Sequence, residues 1–198
     1  MFSGSGAVRT PVVLGVLAGA CLLAMLVAIR VGSTALTAHE VLDALRGAGD
    51  AGVRAIVVDL RLPRVVQSAL VGAALAASGT ALQALLRNPL AEPYVLGISS
   101  GAAVGAVGTV VLGLTTFGAA TIGITALAGA LLALVAVLAI ARAVGGALDP
   151  RTLVLGGVIV SAFLNALLLL ALVTTDLERY RAAVFWLLGS NAGATWTN

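Results

Sequence analysis

The placement of charge sets the strongest limit on what this chain can fold into. Its eleven arginines and eight acids all fall outside five apolar runs, at 11–29, 65–86, 94–112, 119–140 and 153–173. Each run is near the roughly 20 residues that cross a bilayer. Within hydrocarbon every backbone N–H and C=O needs an internal partner, so such runs are expected as helices. The expected fold is therefore all-α: a polytopic helical membrane protein with about five transmembrane helices. Composition points the same way. Hydrophobic residues make up 61% and charged residues 10%, against about 25% charged in soluble domains. Glycine, at 24 of 198 residues, exceeds its usual share of about 7%, as a tightly packed helix bundle would require.

The net charge of +3 comes from arginines scattered through loops, without a basic tract. That pattern excludes a nucleic-acid partner and leaves membrane lipid as the expected surroundings. The single cysteine, Cys21, excludes an internal disulfide or a cysteine cluster, and neither metal nor cofactor is expected. Ala18-Gly19-Ala20-Cys21 is similar to a lipoprotein cleavage site, but Leu22 to Ile29 stays apolar where a processed lipoprotein turns polar. A retained first helix is expected, with Cys21 as a small apolar filler.

The loops carry their own signals. In the segment 30–64, Thr37-Ala-His-Glu40 reads as a capping box opening a short surface helix, which Gly47-Ala-Gly-Asp50 ends. The segment 174–198 starts polar, with Asp176, Glu178, Arg179 and Arg181, and then carries the interfacial aromatics Phe185, Trp186 and Trp196. The sequence ends after Asn198 without a sixth span, so residues 1–198 are expected to be a partial transmembrane domain.

Helical periodicity groups the small and polar residues into stripes. Span two aligns Ser68, Gly72, Ala76, Gly79 and Gln83; span three aligns Gly97, Gly101, Gly105 and Gly108; span five aligns Gly157, Ser161 and Asn165. The glycines are expected to pack helices. Gln83 and Asn165, together with Ser161, either make interhelical hydrogen bonds or line a solute path.

The most informative stretch runs from 61 to 101. It reads Arg61-Leu-Pro-Arg64, the second span, Arg87-Asn-Pro-Leu-Ala-Glu-Pro93, and Leu96-Gly-Ile-Ser-Ser-Gly101. Asn88-Pro89 ends one helix, because the residue before proline is pushed out of the α region, and Pro93 can open the next. Arg87, Asn88, Pro89, Glu92 and Pro93 thus form a short, rigid reversal at the membrane face.

These motifs resemble the FecCD-type permease subunits of ABC importers for iron-siderophores, haem and cobalamin. Leu153-Val-Leu-Gly-Gly157 and Phe185-Trp-Leu-Leu-Gly189 extend the resemblance over nearly the whole chain. The resemblance implies part of a roughly ten-helix permease fold in the cell inner membrane. The implied partners are cytosolic ATP-binding subunits, an extracytoplasmic substrate-binding protein, and a second permease subunit in a homodimer or heterodimer. Iron-siderophore is the first cargo expected. A cytoplasmic N-terminus is also implied, with Arg9, Arg87, Arg142 and Arg151 inside and the other seven arginines outside. The positive-inside rule favours the reverse.

Rival readings come from other classes. Gly97-Ile-Ser-Ser-Gly101 fits the G-x-S-x-G nucleophile elbow, which would make Ser99 the nucleophile of an intramembrane serine hydrolase. That chemistry needs a nearby base, yet the only histidine is His39 and the spans carry no acid or lysine. A secondary transporter would need ionisable groups in the spans, and there is no P-loop for an internal ATPase. A non-transporting structural membrane fragment remains the other alternative. Arg61 and Arg64, three apart and held by Pro63, are read either as interfacial anchors or as a paired positive edge. The resemblance implies the second role, in which both dock acidic residues of the binding protein.

Overall fold

The computed structural model describes residues 6–117, 120–145 and 149–196. The described residues form helices and turns without a strand: α1 Gly6–Arg30, α2 Ala38–Leu45, α3 Ala51–Arg54, a π-helical segment Ala55–Arg61, α4 Leu62–Leu86, α5 Ile98–Val111, α6 Ala120–Gly145, α7 Pro150–Thr174 and α8 Leu177–Leu188. Four helical stretches are long and apolar enough to cross a membrane: Thr10–Arg30, Ala51–Leu86, Ala120–Val144 and Pro150–Thr174. The expected start of a span at residue 119 lies outside the described residues.

The third apolar run does not form one helix. Pro93–Leu96 is a 3-10 turn, and Gly97 takes a left-handed conformation (φ +72°) as the N-cap of α5. Gly113, at φ +71°, follows the helix at its other end. The 14 residues of α5 rise about 21 Å, short of the roughly 30 Å hydrocarbon core. Apolar content reported burial here, whereas the flanking left-handed glycines set the length.

Two further boundaries moved. The loop expected at 30–64 is helical from Ala51 on, and α3, the π-helical segment and α4 run into one another. Asp50 starts this stretch by accepting from Gly52 N (2.8 Å) and Val53 N (3.0 Å), an N-cap. The polar segment after Thr174 folds into α8, capped by Asp176 Oδ1 accepting from Arg179 N at 3.0 Å. Cys21 is exposed on α1, so it fills no core in this chain.

The chain divides within α4 into two units, Met1–Val71 with Asn191–Asn198, and Gly72–Ser190. In the first, Ile29, Leu36, Val41, Ala44 and Val57 form the core. The second has two apolar clusters. Leu82, Leu86, Leu96, Val137 and Leu153 centre the larger, and Val107, Val110 and Ala183 join α5 to α8 in the other.

Candidate functional site

In the first unit the structure treats the two arginines of Arg61-Leu-Pro-Arg64 differently. Arg61 is buried, at 8% exposure. Its Nη1 donates to Ile29 O and Arg30 O, both at 2.8 Å, and its Nη2 donates to Thr34 O. Arg64 is half-buried; its Nη2 donates to Ala192 O at 2.8 Å, and its Nε is buried without an acceptor. Among the described residues neither arginine has a carboxylate within ion-pair distance. Arg61 is turned inward onto the carbonyls at the end of α1, because a helix C-terminus offers unpaired oxygens and a partial negative charge.

Two contacts that sequence reasoning missed surround this point. Asn191 Nδ2 donates to Ser68 Oγ at 2.6 Å, and Trp196 Nε1 donates to Val58 O at 2.8 Å. The Val58 carbonyl lies in the π-helical segment, where the ladder of hydrogen bonds is irregular. No local pattern announced either pairing, since both link residues more than 120 positions apart in sequence.

In the second unit the Arg87–Pro93 reversal forms as expected, with one feature the sequence concealed. Asn88 N bonds Gln83 O (3.1 Å) and Arg87 N bonds Ala84 O (3.4 Å), the paired bonds of a Schellman ending. That ending puts Arg87 at φ +49°, a left-handed position usually held by glycine. Asn88 then folds a tight turn, its Oδ1 accepting from Leu90 N at 3.0 Å. Ala91 is buried beneath the turn, and Leu90 projects from it at 86% exposure. Glu92, also exposed, precedes the 3-10 turn that begins at Pro93 without capping it.

The expected packing glycines divide. A Cβ on Gly101 would collide with Gly129 O, one on Gly129 with Gly101 O, and one on Gly105 with Thr125 O. Here α5 and α6 meet backbone to backbone, as small residues allow. Thr109 Oγ1 donates to Thr125 Oγ1 across the same contact at 2.6 Å. Gly72, Gly79 and Gly108 have no neighbour within 4 Å of a would-be Cβ, so they pack nothing among the described residues. Gly97 is an N-cap and not part of a helical stripe. Gly129 went unnoticed, although Thr125, Gly129 and Ala133 recur every four residues along α6.

The candidate path residues remain apart from that contact. Gln83 and Asn165 have exposed side chains on α4 and α7. Ser161, one turn before Asn165 on α7, lies beside Gly97, and its Oγ is buried without a partner. An open groove of about 730 Å³ runs between α5, α6 and α7, lined by residues such as Gly105, Gly108, Leu132 and Phe163. Its wall is almost wholly apolar, which sequence stripes did not reveal. Ser99 is exposed in the first turn of α5, after a 3-10 turn and not the strand that a nucleophile elbow requires.

This architecture defines a polytopic membrane protein whose apolar helices carry a short, broken third segment. Residues 10–198 match the FecCD transport family, and the chain belongs to it. A permease of the achromobactin transport system in Dickeya dadantii is 46% identical over 175 residues, covering 88% of this chain and 50% of that protein. An uncharacterized ABC transporter permease of Bacillus subtilis, YvrB, is 44% identical over 161 residues, covering 80% of this chain and 45% of that protein. The cobalamin import permease BtuC of Halobacterium salinarum is 44% identical over 143 residues, 71% of this chain and 37% of its own. An inward-facing structure assigned to a metal-chelate type ABC transporter superposes with a TM-score of 0.79 at 26% identity, covering 94% of this chain and 56% of that one. The chain thus spans about half the length of the curated relatives it matches. These relatives are transport permeases, so the hydrolase reading of Ser99 is set aside.

Proposed function

We propose that this chain forms part of the membrane-spanning pathway of an ABC importer for a metal chelate or a related large cofactor. The observation that carries the reading is the ordered string from Arg61 to Gly101, set on α4, its Schellman turn and α5, within a family match over residues 10–198. Energy would come from separate ATP-binding subunits, since the sequence holds no P-loop. An extracytoplasmic binding protein would deliver the ligand, and a second permease subunit would complete the pathway. The cargo is proposed to be an iron-siderophore, as the achromobactin relative suggests; cobalamin is the second reading, favoured by the BtuC relative. Gln83, Ser161 and Asn165 are the polar groups proposed to meet the passing solute.

The site is the inner membrane, with the N-terminus cytoplasmic and residues 30–50 outside. A cysteine at Ala48, with Cys21 replaced, should react with an impermeant thiol reagent in intact cells, and one at Leu90 should not. The converse labelling would reverse the orientation. Transport itself is tested in a host lacking its own FecCD permeases, by expressing these residues as part of a full-length permease with its cognate ATPase and binding protein. Ferric-siderophore uptake that needs ATP is expected. Cobalamin uptake alone would redirect the cargo, and uptake of neither would reject the importer reading. Docking to acidic residues of the binding protein is proposed for the Arg61 and Arg64 pair, since a planar guanidinium fork suits a carboxylate. Arg64→Glu should abolish uptake while leaving membrane insertion normal.

A further inference from the structure

We propose that residues 191–196 form a strap that positions Arg64 for docking, with Trp196 supplying a hydrogen bond that Pro63 cannot make. The proposal rests on the docking reading above and adds to it the residues that present the arginine. It starts from a gap in the backbone at Arg61-Leu-Pro-Arg64. Leu62 N bonds Val57 O, five residues back, in the pattern of the π-helical segment. The same pattern would pair Val58 O with the N–H of the next residue, but that residue is the buried Pro63, which has none. In an α-helix the donor to Val58 O would be Leu62 N, and here it is engaged with Val57 O. Val58 O thus lacks the ladder donor of either register. Trp196 Nε1 donates to it at 2.8 Å. An indole N–H can only donate, which suits the acceptor that a proline leaves behind.

The other end of the strap is tied at Arg64. Asn191 Nδ2 donates to Ser68 Oγ at 2.6 Å, and Ser68 Oγ passes the bond on to Arg64 O at 2.8 Å. Ala192 O accepts from Arg64 Nη2, also at 2.8 Å. Residues 191, 192 and 196 therefore meet residues 68, 64 and 58 in reverse order, and the strap lies antiparallel along one stretch of helix. Ala194, between the two sets of bonds, is buried. A cleft of about 170 Å³ separates it and Trp196 from Pro63 and Val66. Arg64 is thus held twice, through its carbonyl by way of Ser68 and through one arm of its guanidinium. A long, flexible side chain that is ordered beforehand loses less freedom when a partner binds it.

The test uses the full-length permease in detergent, with its cognate binding protein as the probe. Trp196→Phe keeps an aromatic ring and removes the N–H. Hydrogen exchange over residues 55–64 should then quicken by up to about tenfold. Affinity for the binding protein should fall about threefold to tenfold, and Asn191→Ala should weaken it in the same range. Pro63→Ala restores a backbone N–H, so Val58 O gains a ladder donor in either register. In that background Trp196→Phe should leave exchange unchanged, a rescue that general damage to the strap would not show. Native exchange in Trp196→Phe, or the same quickening beside Pro63→Ala, would overturn the exchange of an indole donor for the missing one. If Pro63→Ala is not recovered from the membrane, Trp196→Phe in the native background decides alone. Quickened exchange with undiminished docking, where Arg64→Glu abolishes docking, would overturn the positioning role. Docking that survives Arg64→Glu as well would sink the docking reading itself and leave only the bond from Trp196 to Val58 O standing.

Discussion

Helices α4 and α5 carry the same kind of sequence signal, glycines at helical spacing, and the structure uses them in opposite ways. On α5, Gly101 and Gly105 lie against the backbone of α6 so closely that no side chain fits. On α4, Gly72 and Gly79 face open space within this chain. A stripe of small residues records a surface that allows close approach. It does not record whether the approaching surface belongs to the same chain. The difference lies in the partner: α6 answers α5 with Gly129 and Thr125, whereas the described residues offer α4 no such counterpart.

The largest effect should come from filling the α5–α6 contact. Gly105→Ala places a methyl group into Thr125 O, a backbone atom that cannot rotate away. A destabilisation of about 3 kcal/mol or more is expected, at or beyond the upper part of the range for overpacked cores. Thermal unfolding of the purified chain in detergent measures it. Gly72→Ala and Gly79→Ala should instead gain about 0.5–1 kcal/mol each, because alanine is the better helix former and meets no obstacle. Equal losses on both helices would break the comparison and place a covering surface on α4.

A smaller effect probes the polar part of the same contact. Thr109 Oγ1 donates to Thr125 Oγ1, which donates onward to Thr121 O at 2.9 Å. Thr109→Val keeps the shape and removes the link. The expected cost is about 0.6 kcal/mol and no more than about 1.7, the range for interhelical hydrogen bonds in membranes. A double-mutant cycle with Thr125→Val isolates the pair. A coupling near zero would leave backbone contact as the sole cement between α5 and α6.

These contrasts also mark what could be read from sequence. The apolar runs, the Thr37 capping box and the Arg87–Pro93 reversal were legible because each rests on short-range chemistry: hydropathy, side-chain capping, and proline sterics. The inward turn of Arg61 was not, since its acceptors are main-chain oxygens of another helix and carry no residue signature. Nor was the shortening of the third span, because Gly97 fits a helical stripe and a left-handed cap equally well. α8 was hidden by its mixed composition, and the helix is set in place partly by Ala183 packing on Val107 and Val110.

Arg87 gives a third and comparable test, now of a single residue against its backbone. A non-glycine residue in the left-handed region costs roughly 1–2 kcal/mol. Arg87→Gly should therefore stabilise the chain by about 1 kcal/mol, while Arg87→Ala should not. If the glycine variant is more stable yet lowers uptake in the complete importer, the arginine is retained for its side chain and the strain is tolerated for function. A loss of stability instead would show that the guanidinium anchors the turn.

The smallest expected effect belongs to α2, a helix outside the spans whose start is fixed by hydrogen bonding and not by close packing. Thr37 N and Thr37 Oγ1 both donate to Glu40 Oε2 at 2.7 Å, and Glu40 N returns a bond to Thr37 Oγ1 at 3.2 Å. The backbone bond first, and the hydroxyl bond second, hold the Glu40 carboxyl below the usual glutamate range. A carboxylate lowered in the folded state contributes stability that is fully present above its unfolded pKa, about 4.3. That contribution fades as pH falls through the lowered folded value. Hydrogen exchange in α2 should accordingly be flat from neutral pH down to about 5, after correction for intrinsic rates, and quicken below about 4.3. Glu40→Gln should remove the dependence, since the amide still accepts but no longer titrates. Because the group is fully exposed, the change should be confined to α2 and leave exchange in α5 and α6 untouched; a global loss of protection over the same range would place the acid-sensitive group elsewhere.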